Sequence, residues 1–145
     1  LLALLVASRY AQVDGIIAIA PALKIRGIEL SRVMQYFVKF RAKNQAEDNL
    51  PWKGYTVYPM RGLAQLAKLQ NIVQKELDNI TQPLLVFMGG KDASIHPESG
   101  KIIINTVKSS EKELIYMPYS PHVMLLAKDK EAIFQKIYEF IEAHC

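Results

Sequence analysis

Cysteine is nearly missing from this sequence of 145 residues: the single one, Cys145, stands at the very end. One thiol closes no internal disulfide and builds no zinc cluster, so stability must come from a buried core, and a reducing, cytoplasmic setting is expected. Long apolar runs are missing too. The longest, Leu1 to Ala7, falls far short of the ~18 residues of a spanning helix, and no basic stretch precedes it. Neither an integral membrane anchor nor an intact signal peptide is expected. There is no internal repeat and no low-complexity tract. Excess charge is modest, at +4, and it is unevenly placed: Lys24 to Lys68 holds nine basic residues against three acids. Basic character confined to one segment does not describe a nucleic-acid module, and no nucleic-acid partner is expected.

What remains is half apolar and 22% charged, the balance of a globular chain of one-domain size. The opening LLALLVA is apolar on every side, which reads as a helix enclosed all round, ended by Val13-Asp14-Gly15. The β-branched run Ile16 to Ala20, closed by Pro21, reads as a buried strand. A buried helix leading into a buried strand needs layers on both sides. The chain, which lacks an initial Met, therefore reads as the later part of a larger α/β domain.

Residues 23–60 are irregular in pattern, with an amphipathic stretch carrying Leu30, Val33, Met34, Phe37, Val38 and Phe40; segment 24–60 reads as an inserted cap or lid. From Met60 to Leu77 the apolar spacing of three and four predicts a helix. Then strand and helix alternate: a strand over 83–88, a helix over 97–108, a strand over 113–117 and a closing helix over 130–143. Such alternation predicts parallel strands with flanking helices.

In a parallel sheet the loops past the carboxyl ends of the strands form the functional edge. The first strand of the last third leads to Gly89-Gly90-Lys91-Asp92, and the next leads to Pro118-Tyr119-Ser120-Pro121-His122. Asp92 and His122 thus project from successive strands. A carboxylate bonded to an imidazole N–H fixes the ring's tautomer and leaves the other nitrogen free to act as general base.

With these residues in place, positions 80–145 resemble the end of an α/β-hydrolase of the small bacterial carboxylesterase and monoacylglycerol lipase branch. In that branch a strand ends in G-x-x-D, a proline-opened helix follows, and the next strand leads to S-x-H. Residues 1–20 resemble the helix and strand that follow the nucleophile elbow, and residues 23–60 stand where the branch inserts its lid. The resemblance implies a partial α/β-hydrolase domain over 1–145, with Asp92 as acid and His122 as base of a Ser-Asp-His triad. It also implies an ester or lipid-like small-molecule substrate and no cofactor or metal. Two departures stand out. None of the seven serines lies in G-x-S-x-G, so the nucleophile is missing and the chain alone is expected to be inactive. Pro121 stands where the branch usually has glycine before the histidine, and its fixed φ threatens the reach of His122.

Other residues carry plainer readings. Phe37, Phe40, Trp52 and Tyr55 are candidates to line an acyl pocket, and equally candidates for packing under a lid. His96 beside Pro97 reads as a helix start, and His144 with Cys145 as a terminal tail, not a metal site. Ser120 lies two residues from His122, a poor geometry for attack. The same fold also carries acyl transfer, thioester and peptide hydrolysis. A non-catalytic or truncated piece stays open as well. It would bind its missing half or itself, as a homodimer, through the face left uncovered beside Ile16 to Ala20.

Overall fold

A computed structural model of the chain describes residues 1–43 and 54–144. The sheet is built from β1 (Ile16–Ile19), β4 (Leu84–Gly89) and β5 (Lys112–Met117), all parallel, in the order β1-β4-β5. Ile16 pairs with Leu84 and Leu84 with Lys112, so the carboxyl ends of the three strands reach one edge together. β4 is central and buried at all six positions, as its LLVFMG run requires. Its period of two divides the core. Leu84, Val86 and Met88 face α1 (Leu2–Ala7), α3 (Met60–Glu76) and α4 (Glu98–Thr106), packing with Leu4, Val73 and Ile103. Leu85 and Phe87 face the opposite layer, where Ile133, Ile137 and Phe140 of α5 (Lys130–His144) cover them. The α/β architecture of parallel strands between helical layers is therefore present.

The boundaries of the last third lie close to those the pattern implies. Pro97 opens α4, since it lacks the N–H that a first turn leaves unpaired, and Val107 ends it in extended backbone. The front of the chain differs more. α1 stops at Ala7, well short of Asp14, because polar groups draw the chain away: Arg9 makes two bonds to the Glu76 carboxylate, at 2.6 and 2.8 Å, and the Ser8 hydroxyl lies 3.0 Å from it. The Gln82 amide donates to the Ala7 carbonyl at 2.9 Å, satisfying the helix end. Nor is α1 enclosed all round. Leu4 and Ala7 are buried, but Leu2 and Val6 face outward, where no described element covers them.

Segment 24–60 holds more regular structure than its pattern suggests. A 3-10 turn at Ile28–Leu30 runs into the single-turn helix α2 (Ser31–Met34), and β2 (Phe40–Ala42) pairs antiparallel with β3 (Val57–Pro59). Along α3 the buried positions are Met60, Ala64, Ala67, Gln70 and Val73, so the buried stripe centres on small residues rather than on Leu63, Leu66 and Leu69. Buried Gln70 donates to the Ala22 carbonyl at 2.6 Å, and Gln74 to that of Leu23 at 3.1 Å. These two amides tie the chain leaving β1 to α3. Among the described residues, no helix is long and apolar enough to cross a membrane.

Candidate active site

The ladder between β4 and β5 does not stop where the strands end. Gly90 N–H donates to the Met117 carbonyl at 2.8 Å, and Lys91 N–H to the Ser120 carbonyl at 3.0 Å. The two loops are therefore zipped together through the backbone. Such closeness explains Gly89-Gly90. A Cβ on Gly89 would lie 2.5 Å from the Ser120 carbonyl oxygen, and one on Gly90 would lie 2.7 Å from the Tyr116 hydroxyl and press on Pro118.

Asp92 follows directly. Its side chain is 1% exposed, and each oxygen has its own work. Oδ1 accepts the N–H groups of Ser94 at 2.8 Å and Ile95 at 2.9 Å, which fixes the carboxylate within its own turn. Oδ2 lies 2.9 Å from His122 Nδ1. Burial pushes the Asp92 pKa up, but the bonds from His122, Ile95 and Ser94 outweigh it and hold the group below its ordinary value. Asp92 is thus an ionised acceptor, so Nδ1 of His122 carries the proton and donates. Nε2 meets no hydrogen-bond partner among the described residues, and the ring is 44% exposed. A neutral imidazole held this way presents a lone pair to whatever approaches from solvent. Pro121 does not keep the ring from Asp92.

Neighbouring residues serve the same edge. The His96 N–H donates to the Lys24 carbonyl at 2.9 Å, and Lys24 pairs with Glu98 at 2.6 Å, so the exit from the Asp92 loop is fastened to the exit from β1. The His96 ring accepts the Glu98 N–H at 3.3 Å, at the start of α4. Ala20, at the end of β1, holds φ of +45°, unusual for a residue with a side chain. Ser120 is fully buried and its hydroxyl donates to Asp129 Oδ2 at 2.7 Å, so it is not free to attack anything. No group of three or more potential metal-binding side chains occurs among the described residues.

The aromatic candidates do not gather with this pair. Phe37 is 83% exposed, Phe40 60% and Tyr55 88%, and Trp52 lies outside the described residues. With so little of each ring covered, the described part of the segment forms no acyl pocket around them. An open groove between α2 and α3 is lined by Arg32, Gln35, Tyr36, Lys68, Asn71 and Ile72, and shares no residue with the Asp92 and His122 pair. In the sequence Ser120 stands out only as a poorly placed nucleophile, and the pattern does not single out Asp129. An acidic residue directly before an amphipathic helix was the available signal.

Comparison with known proteins adds to this geometry. Residues 41–129 match the serine aminopeptidase S33 family, Hydrolase_4. A carboxylesterase of Bacillus subtilis (strain 168) is 30% identical over 135 residues, covering 90% of this chain and 55% of that protein. A thermostable monoacylglycerol lipase of Bacillus sp. (strain H-257) is 33% identical over 90 residues, covering 62% of this chain and 36% of the lipase. This chain therefore spans about half the length of the carboxylesterase. Among solved structures, one from work on metagenome-derived lipolytic enzymes superposes with a TM-score of 0.86 at 23% identity, covering 97% of this chain and 60% of that one.

Proposed function

Since the chain belongs to the Hydrolase_4 family of α/β-hydrolases, together with carboxylesterase and monoacylglycerol lipase relatives, we propose that it supplies the acid and base of a serine carboxylic-ester hydrolase. The observation that carries the reading is the 2.9 Å contact between His122 Nδ1 and a buried, ionised Asp92. In this reading a serine in G-x-S-x-G, outside residues 1–145, gives its proton to Nε2 of His122 and attacks the ester carbonyl. Asp92 keeps the ring in the tautomer that can accept that proton and stabilises the imidazolium that results. His122 then protonates the leaving alcohol, and a water activated by the same nitrogen cleaves the acyl-enzyme. Neither a metal nor an organic cofactor enters these steps. Segment 24–60 acts as the lid over this site in the same reading.

The test is kinetic. In the full-length protein, His122→Ala and Asp92→Asn are each expected to lower kcat on short-chain p-nitrophenyl esters by about 10³-fold or more. Near-normal turnover by either variant would overturn the assignment. Thioester, peptide and acyl-transfer substrates run beside the esters separate this reading from other chemistry on the same fold.

We further propose that the chain of residues 1–145, produced alone, lacks turnover and pairs with a second copy of itself. Two features support this: the bare outer face of α1, and the edge of β1, which has a strand on one side only among the described residues.

A further inference from the structure

His122 is an exposed residue on a loop whose Ser120, Met124 and Ala127 are buried, and its ring meets a buried carboxylate within hydrogen-bond distance. Among the described residues the ring has one hydrogen-bond partner, Asp92, so its place depends on the loop, which Met124 anchors to the core beside Phe87 and Ile133 on the far side of His122. The residue two places earlier is the point where three parts of the fold meet. Ser120 is 0% exposed. Its N–H donates to the Met117 carbonyl at 3.1 Å, holding it to the end of β5. Its carbonyl accepts Lys91 N–H at 3.0 Å, one residue before Asp92, and Gly89 lacks the Cβ that would block that approach. Its hydroxyl donates to Asp129 Oδ2 at 2.7 Å, nine positions on. The Asp129 carbonyl in turn accepts Ile133 N–H at 3.2 Å, in the first turn of α5. Ile133 is itself fully buried against the sheet, so Asp129 is anchored to a rigid element.

We propose that Ser120 and Asp129 are a positioning pair: by closing the 120–129 loop across its base they set the His122 ring against Asp92. The pair does not touch substrate. The backbone bonds of Ser120 fix its distance from the Asp92 loop. The side-chain bond fixes the loop's other end, and His122 lies between the two anchors. A serine hydroxyl with a carboxylate acceptor makes a short, charge-assisted bond, which is stronger than a neutral one. Misplacing a catalytic ring by about 1 Å costs about 10²-fold in rate. The inference rests on the ester-hydrolase reading above for its kinetic part only.

The experiment uses the full-length protein with Ser120→Ala, Asp129→Ala and Asp129→Asn. Both alanine variants are expected to lose about 10- to 100-fold in kcat with KM changed less than about twofold. Asp129→Asn keeps an oxygen acceptor and is expected to recover most of that loss. The second readout is the proton NMR signal of His122 Nδ1–H, sheltered from exchange by its bond to Asp92. It is expected to broaden or vanish in the alanine variants and to persist in Asp129→Asn. Should Ser120→Ala fail to fold, the less buried Asp129→Ala carries the comparison. Alanine variants that keep both kcat and the Nδ1–H signal, whatever their melting temperature, overturn the proposal. If instead Asp92→Asn keeps full turnover, the hydrolase reading fails, and the NMR signal still decides the positioning claim.

Discussion

Gly89 and Gly90 show what single residues contribute to this site. Neither needs left-handed backbone; each is glycine because the loop after β5 passes too close for a side chain. Gly90→Ala would place a methyl group 2.8 Å from the Pro118 Cα, and the obstacle is backbone that cannot rotate aside. The substitution is expected to cost about 1–3 kcal/mol in urea unfolding, as overpacking does. It should also lower kcat in the full-length protein, because relief of the clash spreads the Asp92 and His122 loops apart. Gly27→Ala gives the contrast. Gly27 holds φ of +69° with nothing within 4 Å of a would-be Cβ, so its loss should cost about 1 kcal/mol of backbone strain and leave the Asp92 to His122 contact unchanged. Much of the site was legible at this scale. Asp92 and His122 each follow a short strand with turn-forming residues between, and parallel strands put such loops on one edge. The Ser120 to Asp129 bond was not legible, since it depends on where a loop folds back, and local pattern is silent on that.

At the level of elements, the first helix is held to α3 by a polar clasp. The Glu76 carboxylate receives both Arg9 nitrogens and lies beside the Ser8 hydroxyl. The Arg9 bonds, aided by Ser8 and opposed by partial desolvation, bring the Glu76 pKa from 4.5 to about 2. A carboxyl whose pKa is depressed by folding stabilises the fold above its unfolded value, and that contribution fades as pH falls through the folded value. Glu76→Gln is therefore expected to melt at lower temperature than the parent at neutral pH. The gap should narrow as pH drops from 4.5 toward about 2, followed by thermal melts in a pH series. A gap that stays constant across that range would show that the clasp contributes nothing through its charge. The same clasp explains why the first helix is shorter than its pattern implies. Hydrophobicity continues past Ala7 only weakly, and what ends the helix is an acid 67 positions away. The β2 and β3 ribbon is not legible in the pattern for a related reason. Each strand is three residues long, with Arg41 and Tyr58 paired at its centre, too short for a period of two to register. β4 and α5, by contrast, are long enough for composition and spacing to decide them.

The whole molecule has two unlike sides. Around β4 it is a finished core, with helices on both faces of the sheet. Beside β1 it is more open: Leu2 is 66% exposed and Tyr10 57%, and among the described residues the strand pairs with β4 alone. Apolar side chains next to a row of unpaired backbone groups are both sticky and directional, the combination that recruits another chain. On the self-association proposal, a second copy covers this face when residues 1–145 are produced alone. Light scattering on that chain is then expected to give a dimer or larger species, with strong binding of a hydrophobic dye. Placing Lys at Leu2 and Val6 should reduce both. These positions lie on the outward face of α1, whereas Leu4 is buried and would damage the core instead. A monodisperse monomer that binds no dye would show that this face needs no partner, and the self-association proposal would fall while the pairing of Asp92 with His122 stood.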